Sequence, residues 1–461
     1  SIMLMIEHAR AGRRVVRLKG GDPFIFGRGG EECEALSAAG VRFEVVPGVT
    51  AAVAAAAYAG IVATHRDVNS SITIVTGHPG TDSETTGGES EAATDRIDYA
   101  ALARLPCLAF YMPVARLKDI CSNLILHGMD PQTPAALIER ATTPRQRTVV
   151  STLRQLPDDA DAAGIAAPAV AVIGRVVELR GAIRWFDNRP LFGKTIVVTR
   201  TRQQASRLSS RLEELGANVL EAPTIQIVPP ADWGPVDEAL RSLDRADWLI
   251  FTSQNAAEFT RRRMQELGLD ARRLANLRIA AVGPATAQAV QQHLFCRADL
   301  CPDSYVAEAL ADALESGDCI RGRRFILLRA DLARPTLVAR LRAAGAADVA
   351  DIPIYETRLV DSLPEEFLTA LEAGTIDWIT FASSSSARNL LTLLGADGRS
   401  RLSRVKLASI GPATSRTLRS LDLPVDAEAA PYTLEGLIQA ILAREGQSAQ
   451  PRLRADMEKN R

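Results

Sequence analysis

A chain of 461 residues, 47% of them hydrophobic, is longer than one hydrophobic core usually serves, so its length predicts two to four domains. Its 54 lysines and arginines nearly balance 55 aspartates and glutamates, which excludes the global basic field used by nucleic-acid and anionic-membrane proteins. Six dispersed cysteines, no membrane-length apolar run and no signal peptide predict a cytoplasmic protein with free thiols and without a metal site.

The first part of the chain alternates helical and strand-like segments, which is typical of an α/β fold. Residues 2–11 have a helical pattern, and strands are predicted at 15–18, 43–46, 72–76 and 107–111. The first helix begins almost at residue 1 with no capping turn before it. This beginning indicates a missing front end.

A glycine-rich loop, GGDPFIFGRGG, follows the first predicted strand at residues 20–30. Missing side chains let a backbone approach a ligand closely. A phosphate loop would carry a lysine, whereas this loop carries Asp22 directly after its glycines, which suits a hydroxyl, amine or sulfonium group better. Taken alone, the glycine spacing favours an ordinary structural turn.

A second loop, PGVT at residues 47–50, leads into an alanine-rich helix that Thr50 is placed to cap. A capped core helix explains this pattern without any ligand. Residues 77–96 have no apolar period and are rich in glycine, serine, threonine and acids, so they are predicted to form a mobile insertion.

From residue 193 onward the sequence repeats itself. The segment DWLIFTS at 247–253 returns as DWITFAS at 377–383, and GPAT at 283–286 returns at 411–414. Two similar α/β lobes joined by a hinge are therefore predicted, and a small ligand usually binds in the cleft between such lobes.

Taken in order, VRLKGGDPFIFGRGGEE, PGVTAA, AYAGI, THRD, TGH and YMP make residues 1–186 resemble uroporphyrinogen-III C-methyltransferase, a tetrapyrrole methylase. The resemblance implies α/β domains that bind S-adenosylmethionine between them and methylate uroporphyrinogen III twice, giving precorrin-2 for sirohaem or cobalamin. It places ten residues in the cofactor site: Gly20, Gly21, Asp22, Ile25, Thr50, Ala51, Met112, Ala141, Pro168 and Ala169.

The segment departs from the family pattern in two ways. Ala141 stands where the family usually has glycine, so a methyl group is expected to crowd that wall. The family's opening strand, its first glycine loop and its proposed catalytic aspartate and lysine would all precede residue 1. The methylase is therefore incomplete, no proton-transfer residue is assigned to it, and this half is expected to be inactive in the chain as it stands.

Two further expectations concern the partners of the first half. Arg28 and the cluster at residues 65–67 could meet substrate carboxylates, because a guanidinium fork suits them, or could be solvated surface charges. The resemblance also implies a possible homodimer through this half. Tetrapyrroles are the expected small-molecule substrates, with no nucleic-acid or membrane partner.

The second half carries GKTIVVTR, DWLIFTSQNAAEF, AVGPATA, SYVAEAL, IPIYET, DWITFASSSSARN, SIGPATS and PYTLEGL in order, and resembles uroporphyrinogen-III synthase. That family cyclises hydroxymethylbilane with inversion of the last ring and uses no cofactor. The resemblance implies two flavodoxin-like, doubly wound lobes, about 193–225 with 355–445 and 226–354. Residues 187–192 would be a linker and 446–461 a disordered tail.

The expected chemistry needs weak proton donors and a folded substrate, because the pyrrole nitrogen's electrons help the hydroxyl to leave. Tyr355, in IPIYET, is the candidate acid, with a packing role between lobes as the alternative. Arg200 and Arg329 are expected to receive substrate carboxylates. Loop hydroxyls and turn amides would bind substrate or cap helices: Ser253, Asn255, Thr286, Ser383, Ser385, Thr414 and Thr433.

Three functions remain open on this sequence. The first is a bifunctional enzyme that makes uroporphyrinogen III and methylates it, with tethering raising the local concentration of the second site. The second is a synthase that carries an inactive methylase remnant. The third is a non-enzymatic, bilobal ligand-binding protein, because two α/β lobes with a hinge also describe binding proteins.

Overall fold

The computed structural model describes residues 1–77 and 97–446, apart from residues 201, 305 and 334, and gives only the backbone of 202–206. The predicted mobile insertion and the predicted tail lie outside the described residues, except for their first residues.

The first 60 residues form helices without a sheet. These helices are α1 Ile2–Arg10, α2 Gly29–Ala38 and α3 Ala51–Tyr58. The strands predicted at 15–18 and 43–46 are wrong, because both segments run without strand pairing to any described residue. Val16 and Leu18 are 83% and 86% exposed, so an apolar run here did not mean a buried strand.

The described residues between 73 and 183, that is 73–77 and 97–183, form a five-stranded sheet with helices around it. Its strands are β1 Thr73–Thr76, β2 Leu108–Tyr111, β3 Pro134–Glu139, β4 Arg147–Thr152 and β5 Ala169–Ile173. The accompanying helices are α4 Tyr99–Leu102, α5 Leu117–Leu126, α6 Leu156–Ala162 and α7 Arg180–Ile183. The strand order is β1-β2-β5-β3-β4, with β1 and β2 parallel and the other pairs antiparallel.

The second half contains ten strands and eleven helices among the described residues. The strands are β6 Thr195–Val198, β7 Asn218–Glu221, β8 Ile225–Val228, β9 Trp248–Phe251, β10 Arg278–Ala281, β11 Arg324–Ala330, β12 Asp348–Leu359, β13 Trp378–Phe381, β14 Lys406–Ser409 and β15 Ala427–Glu428. The helices are α8 Arg202–Glu214, α9 Gly234–Arg241, α10 Gln254–Glu266, α11 Pro284–Leu294, α12 Ala307–Ser316, α13 Thr336–Ala343, α14 Glu365–Glu372, α15 Ser384–Leu394, α16 Gly398–Leu402, α17 Pro412–Ser420 and α18 Leu434–Arg444.

These strands form two sheets, one in each lobe. The order β15-β14-β13-β6-β7 is parallel throughout, and β10-β9-β11-β12-β8 is parallel except for its edge strand β8. Strands β9 and β13 are buried at every position, as expected where helices cover both faces of a parallel sheet. The predicted α/β class is confirmed. The predicted domain boundaries stay a prediction.

Packing on the two faces of the β13 sheet explains the doubly wound arrangement. Ile379 and Phe381 belong to the core on one face, whereas Trp378 belongs to the core on the other. Alternate residues of a strand point to opposite faces, so a continuous apolar run can fill two cores.

The two lobes are connected by a ribbon of two antiparallel segments. Strand β12 is 12 residues long, and its end pairs with β8, with Leu359 opposite Ile225 and Glu356 opposite Val228. The two segments that run from one lobe to the other, β8 and the end of β12, therefore lie side by side.

A compact joint connects the two halves of the chain. The ring centroid of Phe186, which is 4% exposed, lies 4.6 Å from that of Tyr58 and 5.5 Å from that of Phe192. Beside these rings, the buried guanidinium of Arg180 donates to the Ala59 carbonyl and to the Asp187 carboxylate. Among the helices described, none is long and apolar enough to cross a membrane.

Candidate functional site

A cavity of about 1050 Å³ opens in the first half, beside the start of α3, and is called the α3 cavity here. The start of α3, the end of β2, the loop between β3 and β4 and the start of β5 line it. It brings together six of the ten residues predicted for the cofactor: Gly21, Ala51, Met112, Ala141, Pro168 and Ala169. Gly20, Asp22, Ile25 and Thr50 do not line it.

The two glycine loops of the first half touch each other. A Cβ atom added to Gly48 would lie 2.2 Å from the carbonyl oxygen of Gly21, closer than atoms can pack. Only glycine permits this approach of two backbones. The contact places Gly21 at the cavity wall next to the start of α3.

Asp22 braces the same contact. One carboxylate oxygen accepts from the Phe24 amide at 2.8 Å, and the other accepts from the Gly48 amide at 3.0 Å. The Gly48 and Phe24 hydrogen bonds lower the pKa of Asp22, so it is ionised at neutral pH. The structure gives its oxygens backbone partners, and its predicted contact with a ligand stays a prediction.

Tyr111 holds the first turn of α3 and was missed by the sequence reasoning. Its hydroxyl accepts from the Ala52 amide at 2.8 Å and contacts the Thr50 hydroxyl. The predicted side-chain cap by Thr50 is wrong, because its hydroxyl contacts this phenol and makes no cap hydrogen bond. Tyr111 belongs to the YMP motif and directly precedes Met112, whose φ is 50°. That motif was the sequence signal that could have identified Tyr111.

The loop between β3 and β4 forms the wall that contains Ala141. Arg140 and Thr142 have φ values of 44° and 71°, a strained backbone for non-glycine residues. Gln146, which is 4% exposed, accepts from the Thr142 amide at 2.9 Å and donates to the Tyr58 carbonyl at 3.2 Å. A buried amide therefore holds this loop against the end of α3.

The charged residues predicted for substrate in the first half lie outside the α3 cavity. The Arg28 side chain is 82% exposed, and its Nε lies 3.5 Å from Glu31 Oε1. His65 Nδ1 bonds the Asp67 backbone amide at 3.2 Å, which is a local turn. Such exposed pairs contribute little to stability, so Arg28 can reorient.

In the second half, the structure brings Tyr355 and Ser253 together. The Tyr355 hydroxyl donates to Ser253 Oγ at 3.0 Å, and the ring centroid lies 5.8 Å from that of Phe259. Burial raises the pKa of Tyr355, which is only 5% exposed, so the phenol keeps its proton at neutral pH. Asn255, 7% exposed, lies close enough to bond the same hydroxyl.

Three of the predicted loop hydroxyls cap helices. Ser253 accepts from the Ala256 amide at 3.2 Å, Ser383 accepts from the Ser386 amide at 3.2 Å, and Thr433 accepts from the Gly436 amide at 3.1 Å. Ser383 Oγ also lies 3.0 Å from Ser385 Oγ. The capping role is therefore present, and substrate binding by these residues stays a prediction.

The two GPAT turns begin equivalent helices, with Gly283 at the N-cap of α11 and Gly411 at that of α17. Their threonines, Thr286 and Thr414, are 5% and 3% exposed. A substrate in a cleft could therefore reach the turn amides more readily than these hydroxyls.

A buried hydroxyl network supports only one of these turns. Ser409 Oγ accepts from the Gly411 amide at 3.2 Å and lies 2.8 Å from Ser415 Oγ, which in turn donates to Glu428. The matching positions in the other lobe are Ala281 and Ala287. The sequence shows this difference between the repeats, but only the tertiary contacts show that the two serines form a network.

The two arginines predicted for substrate carboxylates differ. Arg329 is 6% exposed, and its guanidinium forks onto both carboxylate oxygens of Asp351, so it does not face an open cleft. Arg200, just after β6, is partly buried, and burial lowers its pKa. Among the described residues Arg200 has no carboxylate within 4.0 Å.

Comparison with known proteins identifies two families along the chain. The model for uroporphyrinogen-III synthase HemD matches residues 206–439, and that for tetrapyrrole (corrin/porphyrin) methylases matches residues 1–157. The porphyrin biosynthesis protein HemD of Ruminiclostridium josui is 34% identical over 391 residues, 84% of this chain and 75% of that protein.

Two further relatives match shorter stretches. The uroporphyrinogen-III C-methyltransferase of Bacillus subtilis (strain 168) is 35% identical over 303 residues, 65% of this chain. The siroheme synthase of Edwardsiella ictaluri (strain 93-146) is 49% identical over 183 residues, 40% of this chain. The chain spans 60% and 37% of the lengths of these two relatives.

Solved structures also match each half. A uroporphyrin-III C-methyl transferase from Thermus thermophilus is 38% identical to this chain, with a TM-score of 0.32. The match covers 39% of this chain and 70% of the transferase chain. A mutant uroporphyrinogen III synthase from the same species is 18% identical and matches 54% of this chain and 98% of its own, with a TM-score of 0.38.

Proposed function

The chain belongs to the uroporphyrinogen-III synthase family, with a tetrapyrrole methylase segment ahead of the synthase, and from this premise we propose that it acts at two successive steps of tetrapyrrole biosynthesis. The second half would cyclise hydroxymethylbilane to uroporphyrinogen III with inversion of the last ring. The first half would methylate that product toward precorrin-2.

One observation carries the synthase proposal: a protonated, buried phenol lies next to a partly exposed serine in a bilobal α/β fold of the matching family. The leaving hydroxyl of hydroxymethylbilane needs a proton donor that does not attack the reactive carbon left behind. A neutral phenol meets both needs.

The burial of Tyr355 indicates how its proton would reach the substrate. Its hydroxyl donates to Ser253 Oγ, which also accepts from the Ala256 amide, and this serine hydroxyl can still donate its own hydrogen onward. We therefore expect Ser253 to face the leaving hydroxyl and Tyr355 to resupply it. Asn255 would hold this pair in place.

Carboxylates of the substrate would be held mainly by backbone amides. The GPAT turns at Gly283 and Gly411 each present the start of a helix, where free amides favour anions. We also propose that the substrate contacts Arg200, Ser383 and Ser385. Arg329 is not among these contacts, because its guanidinium is bound to Asp351.

The α3 cavity fits an S-adenosyl nucleoside. Its volume is that of a small-molecule site, and Gly21 lets the backbone approach a ligand without side-chain obstruction. Ala51, Met112 and Pro168 supply apolar wall for an adenosine moiety. S-adenosylmethionine would supply the methyl group when bound, and these residues would hold and orient it.

A specific observation favours the alternative of a synthase with an inactive methylase remnant. Ala141 lines the cavity and brings a methyl group to a wall where the family usually has a glycine hydrogen. Its test is to measure methyl transfer from S-adenosylmethionine to uroporphyrinogen III. Lack of transfer at high cofactor concentration, by a protein that includes the family's opening strand and first glycine loop, would leave the synthase as the single activity.

The synthase proposal is tested by incubating the full chain with hydroxymethylbilane and separating the product isomers. We expect uroporphyrinogen III. If only isomer I forms, as in the uncatalysed reaction, the synthase proposal fails and the bilobal ligand-binding alternative takes its place.

A further inference from the structure

The wall of the α3 cavity is not built by the first half alone. Two residues of the second half also line it: Asn218, the first residue of β7, and Glu366, in the first turn of α14. Both belong to the lobe that contains the β13 sheet. The proposed cofactor site of one enzyme is therefore bordered by the other.

An ion pair links Glu366 to the loop that carries Ala141. Glu366 Oε1 lies 3.6 Å from Arg145 Nη2, and both side chains line the cavity. The Glu366 side chain is 70% exposed and that of Arg145 is 50% exposed, so the pair stands at the mouth of the cavity. Water screens such a pair, and its effect on the loop is modest.

The same loop is held from its other side by the joint between the halves. Gln146 donates to the Tyr58 carbonyl, and the Tyr58 ring packs on Phe186. Phe186 in turn packs on Phe192, and a Cβ atom on Gly216 would lie 2.9 Å from the Phe192 amide nitrogen. This contact lies two residues before Asn218, so the joint also positions the second-half part of the wall.

We propose that the synthase half forms part of the S-adenosyl nucleoside site, with Glu366 as a positioning residue that acts through Arg145. Glu366 helps to position the loop from Arg140 to Gln146 at the edge of the site, and Asn218 completes the wall beside it. The inference rests on the proposed cofactor and adds to it a dependence of cofactor affinity on the second half.

A matched control exists in the same helix turn. Glu365 precedes Glu366 in the first turn of α14 and is also exposed, but it does not line the cavity. Reversing either charge costs the same favourable interaction with the helix N-terminus. Only Glu366→Arg places a second guanidinium beside Arg145.

The experiment is calorimetric titration of S-adenosylhomocysteine into the full chain. We expect Glu366→Arg to weaken binding by about threefold to tenfold, the range for an exposed ion pair replaced by repulsion. Glu365→Arg should bind as the unchanged protein does, and both variants should share one thermal midpoint without ligand. Combining Arg145→Glu with Glu366→Arg should recover affinity relative to either single change.

The possible failures are distinguishable. If the unchanged protein binds but Glu366→Arg and Glu365→Arg bind equally well, the inference is overturned and the proposed cofactor stands. If the unchanged protein itself does not bind S-adenosylhomocysteine, the proposed cofactor fails and the inference fails with it.

Discussion

Tyr355 combines a buried ring with a hydroxyl that still has a polar neighbour. Replacing it by phenylalanine keeps the ring beside Phe259 and removes only the hydroxyl, with its contacts to Ser253 and Asn255. We expect Tyr355→Phe to slow formation of uroporphyrinogen III by about tenfold to a hundredfold, because general acid assistance is lost. Initial rates of isomer III formation measure this.

Its control separates proton donation from packing. Phe259→Leu disturbs the ring contact and leaves the hydroxyl pair in place, so it should lower stability more than rate. An unchanged rate in Tyr355→Phe would return Tyr355 to a packing role. Because burial raises its pKa, the acid function should persist beyond the pH at which an exposed tyrosine loses its proton.

Gly48 is required by the contact between the two glycine loops. We expect Gly48→Ala to destabilise the first half by about 2 kcal/mol, because its Cβ would meet the Gly21 carbonyl oxygen at 2.2 Å. Gly20→Ala is the matched control, since its Cβ would meet nothing within 4 Å. Thermal unfolding compares the two, and equal midpoints would contradict the contact.

Residue roles were only partly readable from the chain. The motifs singled out Tyr355 and Ser253, which the structure brings together, and six residues that line the α3 cavity, and the roles of these residues stay predictions. They did not show that Asp22 accepts two backbone hydrogen bonds or that Arg329 is engaged by Asp351. A side chain's partner depends on what folds next to it, and residue type alone does not specify that.

At the scale of the elements, residues 187–192 were predicted to be a linker but belong to the packed joint at residues 180–192. Arg180 and Asp187 have side chains only 10% and 15% exposed, and they form an ion pair. We expect Asp187→Ala to lower the free energy of unfolding by about 3 kcal/mol, because a buried guanidinium loses its carboxylate. Urea unfolding measures this change.

The comparison for this joint is Asp361→Ala, which removes an exposed carboxylate. Surface changes of that kind stay within about 0.5 kcal/mol. Equal losses in the two variants would mean that the joint is no more than a flexible tether.

Elements with long apolar runs and helical partners were predictable. Strands β1 and β2 lie within one residue of the strands predicted at 72–76 and 107–111. The strands predicted at 15–18 and 43–46 have equally apolar sequences but no described neighbour with which to pair. A strand requires a second strand for its hydrogen bonds, and sequence pattern reports only one side of that pair.

At the scale of the whole molecule, Glu445 joins the last helix to the start of the synthase half. It receives hydrogen bonds or ion pairs from Lys406, Lys194 and the Trp378 indole. Burial alone would raise the pKa of Glu445, but these partners outweigh it and hold the pKa at about 2. The charged form is therefore the one that stabilises the fold.

A carboxyl with a lowered pKa stabilises above its unfolded value and loses that effect as pH falls toward its folded value. For Glu445 the window runs from about pH 4.5 down to about pH 2, and the full effect is ~3 kcal/mol. We expect the stability difference between the unchanged protein and Glu445→Gln to shrink by about 2 kcal/mol between pH 7 and pH 3.

Urea unfolding at the two pH values tests this, with Glu213→Gln as an exposed control. A difference that does not change with pH would show that Glu445 is not ionised as described.

The homodimer that the first half's family resemblance implies stays a prediction, and sedimentation of the full chain would test it.

The amino-acid sequence by itself determined the α/β class, the two families and the internal repeat, because these depend on local apolar runs and ordered motifs. Tertiary structure alone decided that Gly48 meets Gly21, that Tyr111 holds α3, and that Glu366 of the second half borders a cavity lined mainly by the first half. Such contacts arise from the path of the whole chain. Periodicity and spacing describe only neighbours along it.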